Sequence, residues 1–215
     1  MSDHTEAIPF IAFREPDGFV LTDEARAFLS ELDNKPLGII SIVGKYRTGK
    51  SYFVNKVLLD SNENKGFAVG PTINPCTKGL WLWKKPISVA NENSGEEFNV
   101  LIMDTEGFGG IDENVNHDTR IFLFSLLLSS YFIFNSVGNI DENALNSLSL
   151  IINLAKDVKI KNEGEPTEEE IAEAFPSFLW CIRDFVLEMQ DTSGMKITSK
   201  QYLENSLSHQ KGTSE

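Results

Sequence analysis

"GKYRTGKS", residues 44–51, fits the pattern G-x-x-x-x-G-K-[ST], and its surroundings decide the fold. Directly before it runs "LGIISIV" (37–43), an apolar stretch that reads as a buried strand. Directly after it, Phe53, Val54, Val57 and Leu58 recur at helical spacing between Lys50 and Leu59. A glycine-bearing loop between strand and helix turns several backbone N–H groups, and the positive end of the helix, toward one point, an arrangement that suits phosphate. Gly44, Lys45, Tyr46, Arg47, Thr48, Gly49, Lys50 and Ser51 are therefore candidate nucleotide-binding residues. Lys50 would reach the β and γ phosphates, and Ser51 would offer its hydroxyl to Mg²⁺. Arg47 adds further positive charge to a loop that already has its cation in Lys50, and that surplus has to be explained.

Outward from the loop, short apolar runs alternate with helical patterns, the signature of an α/β domain. Thr22 reads as the N-cap of a helix running to Leu32, which Pro36 separates from the first buried strand. "GLWLWKKPISV" and "FNVLIMD" read as a hairpin joined by the turn-rich "ANENSGEE". A helix from about Asp118 to Leu128, a strand "YFIFN", a helix from Glu142 to Val158 and a strand "SFLWCI" ending at Arg183 follow. Thr167 and Glu170 form a capping box for a short helix over Ile171 to Phe175, with the acids on a solvated face. The fold expected is a P-loop NTPase fold, a mostly parallel central sheet with helices on both faces, in one domain over residues 1–215.

Composition narrows the partners. Thirty-two acids against 19 bases give a net charge of -13, which repels nucleic acid and anionic lipid. The most apolar run, "IFLFSLLLSSYFIF" (121–134), is shorter than the ~20 residues of a spanning helix and is interrupted by serines, so no transmembrane segment is expected. Cys76 and Cys181 stand far apart without metal-ligand spacing or a leader sequence; they read as structural thiols in a cytoplasmic setting.

Three further stretches carry chemistry. "VLIMDTEGFGG" ends a buried strand with Asp104, which would hold Mg²⁺ through water, while the Gly107 N–H can contact the γ phosphate. "PTINPCTKG" (71–79) must supply a metal-bound hydroxyl if the domain is a nucleotide switch; Thr72 and Thr77 compete, and Thr77, at the entry to the next strand, is favoured. Gly70, in the approach to this loop, is counted with the nucleotide-binding residues. The guanine motif N-K-x-D is missing. At a strand end stands "FLWCIRDF", where the Asp184 carboxylate can accept from guanine N1–H and the exocyclic amine, a donor pair adenine lacks. An Arg183–Asp184 pair capping a strand is the structural alternative, and an adenine-specific P-loop ATPase the functional one.

Together "GKYRTGKSY", "CTKGLWLW", "DTEGFGG", "LLLSSYFIFNSVGNI" and "IRDF" resemble the G domain of the guanylate-binding proteins, large GTPases of the dynamin superfamily. The resemblance implies Mg²⁺-dependent GTP binding and hydrolysis, with GTP and GDP as ligands and a nucleotide-dependent homodimer formed through the G-domain face. It implies that Arg47 is an internal arginine finger turned onto the phosphates, that Thr77 is the switch threonine on Mg²⁺, and that Glu106 organises water near the γ phosphate. Asp184, with Arg183 beside it, reads guanine, and Asp118 lies near the domain interface. The catalytic set is then Arg47, Lys50, Thr77 and Glu106, and the metal set Ser51, Thr77 and Asp104. The family pattern has a serine two places before the switch threonine, where this chain has Pro75, which offers neither hydroxyl nor N–H. Slow hydrolysis is the expectation that follows, and the alternative is a nucleotide-dependent interaction module with little turnover. Family G domains run on beyond this length, which implies a G domain incomplete at its C-terminal end, without the helical domain and peripheral to membranes in a longer form.

Overall fold

The computed structural model describes residues 6–60, 66–68, 79–108, 115–159 and 167–208. An eight-stranded sheet organises them. Four strands form its parallel centre: β3 (Leu37–Gly44) lies between β6 (Glu97–Thr105) and β7 (Tyr131–Val137), and β7 pairs with β8 (Ser177–Arg183). Antiparallel strands extend the β6 side. β4 (Leu80–Trp83) and β5 (Ile87–Ala90) both pair with β6, and β1 (Ala7–Arg14) and β2 (Gly18–Leu21) continue beyond β4.

Alternation along the central strands explains why both faces are covered. Ile42, Ile102 and Ile133 point to one side, where they pack with Val54 and Phe67. Val43, Phe132 and Phe134 point to the other, against Phe122, Leu126, Leu148 and Ile151. α2 (Lys50–Phe53) covers the first face. α1 (Asp23–Glu31), α3 (Val115–Leu128) and α4 (Glu142–Lys159) cover the second. The helices α5 (Glu168–Ala174) and α6 (Ser199–Ser208) are peripheral and bury no residue fully. The caps read from sequence are present: Thr22 accepts from Ala25 N, and Thr167 with Glu170 makes the reciprocal box.

Three departures from the sequence reading have physical reasons. The run "GLWLWKKPISV" is two strands, because Pro86 cannot donate to a ladder and the two lysines before it turn to solvent; only β5 forms the hairpin with β6. The helix after the phosphate loop is α-helical for a single turn and then widens into a π-helical turn over Val54–Leu58. The β1–β2 hairpin and α6 lack strong periodicity and were not expected. Among the described residues, no helix is long and apolar enough to cross a membrane.

Candidate functional site

The site lies at the carboxyl ends of the four parallel strands, the position where open α/β sheets hold ligands. Register brings the ends level: Ile42 pairs with Asp104, Gly44 with Asn135, and Val137 with Arg183. Gly44 is required there, since a Cβ on it would stand 2.0 Å from the Asn135 carbonyl oxygen. From Gly44 the loop turns back over the strand ends, with Arg47 at φ 60 and Gly49 at φ 78. The left-handed backbone at Gly49 costs glycine nothing, whereas Arg47 adopts it as a non-glycine residue, a conformation that demands support from its surroundings.

Several contacts hold the loop. The Thr48 hydroxyl and the Lys50 ammonium both donate to the Lys45 carbonyl, at 2.8 and 3.1 Å. The Asn135 side-chain amide donates to the Thr48 hydroxyl at 2.8 Å and to its carbonyl at 3.2 Å. From β8, Arg183 donates to the Gly49 carbonyl at 3.2 Å. Tyr46 N donates to Phe108 O at 2.9 Å, stitching the loop to the chain after β6.

At the floor, Asp104 is fully buried and accepts from the Ser51 hydroxyl at 2.5 Å; Lys50, 6% exposed, is buried with them. Gly107 closes the gap, because a Cβ there would stand 2.7 Å from Lys50 Nζ and 2.5 Å from Tyr46 Cα. Phe108 anchors this turn by stacking on Phe122 at 5.6 Å. A buried ammonium, a hydroxyl–carboxylate pair and a glycine held against them thus meet at the mouth of β3.

The comparisons with known proteins bear on the same residues. A model of the guanylate-binding protein N-terminal domain matches residues 17–215. The chain belongs to the guanylate-binding protein family. Guanylate-binding protein 5 of Mus musculus is 33% identical over 213 residues, 96% of this chain and 35% of that protein. Guanylate-binding protein 7 of Homo sapiens is 38% identical over 193 residues, 87% of this chain and 29% of that protein. Guanylate-binding protein 1 of Homo sapiens is 35% identical over 204 residues, 89% and 32% respectively. The chain spans about a third of the length of these relatives.

Within this guanylate-binding protein domain the expected residues do not all gather at one point. The backbone of Gly44 to Ser51 and the side chains of Lys50, Ser51, Asp104 and Arg183 converge on the cradle with Gly107. Asp184 stands exposed at the end of β8, at φ 53, one residue beyond the arginine that touches the loop. Gly70, Thr72, Pro75, Cys76 and Thr77 lie outside the described residues. Arg47 is exposed with its guanidinium over the Tyr46 ring, 5.6 Å from the centroid, and Asp118 lies in the first turn of α3. Glu106 is buried, and its Oε2 accepts from Gly79 N at 2.7 Å.

Four supporting residues escaped the sequence reading. Asn135 holds Thr48, and among the described residues its own buried Oδ1 has no hydrogen-bond partner. Asn55, in the π-helical turn, exchanges two hydrogen bonds with the Phe67 backbone at 2.7 and 2.9 Å, over a Gly66 whose Cβ would collide with it. Phe108 and His117 complete the set. An asparagine closing an otherwise apolar strand, as in "YFIFN", was the one available signal.

Proposed function

We propose that this domain binds GTP with Mg²⁺ and hydrolyses it, water attacking the γ phosphorus to give GDP and inorganic phosphate. The observation that carries the reading is the meeting of Lys50, Ser51, Asp104 and Gly107 at the end of β3. Backbone N–H groups of the loop and the start of α2 would hold the phosphates, and Lys50 would neutralise the β and γ oxygens. The Ser51 hydroxyl and the Asp104 carboxylate are hard oxygen donors already in contact, the donor set that suits Mg²⁺. Among the described residues no three or more His, Cys, Asp or Glu side chains gather into a cage of their own. Ser51 and Thr77 would hold the cation directly and Asp104 through water, the other oxygens coming from phosphate and water. When bound, Mg²⁺ supplies charge to the phosphate oxygens as a Lewis acid.

Arg47 is read as a finger in cis. Its guanidinium now lies on Tyr46, so reaching the γ phosphate requires the side chain to swing, which contact between two nucleotide-bound domains across this face would favour. Asp118 belongs to that face on the same reading. Asp184 would accept from guanine N1–H and the exocyclic amine, with Arg183 tying the base end to the phosphate loop through Gly49.

The test is a titration of fluorescent GTP analogue, with and without Mg²⁺ and against competing ATP, followed by multiple-turnover phosphate release across protein concentrations. Tight Mg²⁺-dependent binding, preference for GTP and turnover that rises with concentration are expected. Binding without turnover would favour the interaction module that Pro75 suggests, and preference for ATP would remove the assignment of Asp184.

A further inference from the structure

We infer that His117 is a positioning residue: it locks the Glu106 carboxylate onto the backbone of Gly79 and thereby fixes the chain where it enters β4. Two hydrogen bonds join Glu106 to Gly79, from Gly79 N to Glu106 Oε2 at 2.7 Å and from Glu106 N to Gly79 O at 2.9 Å. His117 Nε2 meets the same Oε2 at 3.2 Å; an ionised carboxylate only accepts, so in this contact Nε2–H is the donor. The His117 ring packs against Phe19, 5.0 Å away, and Phe13, 5.4 Å away, which also touch each other at 5.3 Å, so its tip is aimed by packing.

The two ends of this clasp matter for the cradle. Gly79 stands two residues after Thr77 in the sequence, at φ 75 and in a space where a Cβ would stand 2.2 Å from Ile11 O, so only glycine fits there. Glu106 directly precedes Gly107, which abuts Lys50. A buried carboxylate, its side chain 8% exposed, stays fixed while its acceptor oxygen is held by two donors; with one removed, it gains freedom to rotate. Movement at Glu106 is passed to Gly107 beside Lys50 and to Gly79 at the start of β4. Three elements remote in sequence are thereby tied at one oxygen: the start of β4, the turn after β6 and the first turn of α3.

The consequence for turnover rests on the GTPase reading, but the clasp itself does not, and the experiment separates them. In the nucleotide-free chain, amide exchange at Gly79 is followed by NMR in His117→Phe, which keeps the aromatic packing, and in His117→Gln, which keeps a donor. H117F should exchange at Gly79 about tenfold faster, as expected for one lost hydrogen bond to a charged group, with Val43 unchanged and H117Q near native. In turnover assays, H117F should lower kcat roughly 5- to 10-fold and leave KM within about twofold, and adding it to Glu106→Gln should cost nothing more. Should H117F unfold, the comparison of H117Q with E106Q at Gly79 decides the matter, E106Q alone being expected to exchange faster. Unchanged exchange at Gly79, H117Q as poor as H117F, or additive losses with E106Q would overturn the clasp. A native chain that holds its Gly79 amide but never hydrolyses GTP would remove the GTPase reading and leave the clasp standing.

Discussion

The two ends of the candidate site differ in how much of them the fold completes. At the phosphate end, Asp104 and Asn135 are fully buried, Lys50 is nearly so, and side chains from β7 and β8 hold the loop from outside. At the end proposed to read the base, Asp184 is exposed and followed by Val186 at 87% and Leu187 at 56% exposure. Preorganised groups in a water-poor site bind and stabilise charge more strongly than the same groups in solvent, because they need no reorganisation. The phosphates should therefore supply most of the affinity, and the base a selectivity that is weaker than a closed pocket would give.

The largest effect should come from Arg47→Ala. A cation delivered to charge developing on the transferred phosphoryl is worth ~10³ to 10⁵ in rate. Phosphate release should fall about 10³-fold while the dissociation constant of a GTP analogue stays within a few-fold; equal losses in both would remove the finger. Lys50→Ala should break the phosphate end in the other sense. Losing a buried ammonium should weaken the GTP analogue by about 10²-fold, as for truncation of one partner in a buried charge pair. A loss under about tenfold would mean that the loop backbone alone suffices.

Much of this contrast was legible in the sequence, and for a physical reason. A buried strand, a glycine-bearing loop and a lysine adjoin in the chain, so local pattern specifies the phosphate end almost completely, and Asp104 follows because it ends another apolar run. The supports were not legible. Asn135 lies 87 residues from the Thr48 it holds, and Glu106 lies 27 from Gly79, so only sheet order brings them together. The β1–β2 hairpin escaped because β2 buries no residue fully and the strands carry Pro9 and Gly18, which weaken the alternation. Asn55 was hidden inside a helical pattern, which gave no sign of the π-helical turn around it.

Asn135→Ala tests the outer support of the phosphate end. It removes two hydrogen bonds to Thr48, each worth about 0.5–1.5 kcal/mol, and should cost about 1–3 kcal/mol of folding stability, read as a lower denaturant midpoint. An unchanged midpoint would mean that the loop is held by its own contacts. Asp184→Asn tests the base end, where water competes for the carboxylate. Preference for GTP over ATP should fall on the order of tenfold, well short of the ~10⁴ that a buried donor–acceptor set commands. A collapse of that larger size would show the base end to be closed when nucleotide is bound.

The smallest effect reports on the joint between the two ends. Cys181, on β8, is packed beneath the site, and burial pushes its thiol above the ordinary range while the nearby Arg183 charge pulls it part of the way back. Only the thiolate reacts with an alkylating agent, so at pH 8 Cys181 should react more slowly than a solvent-exposed cysteine. Arg183→Gln removes the opposing charge, so the thiol should rise further and the reaction slow again, by less than about tenfold. The rate is best read in a Cys76→Ser background, with nucleotide absent. A faster reaction in R183Q would mean that Arg183 acts on β8 chiefly as a cover, excluding reagent, and the tie from Arg183 to Gly49 would then carry the strand end as well as the loop.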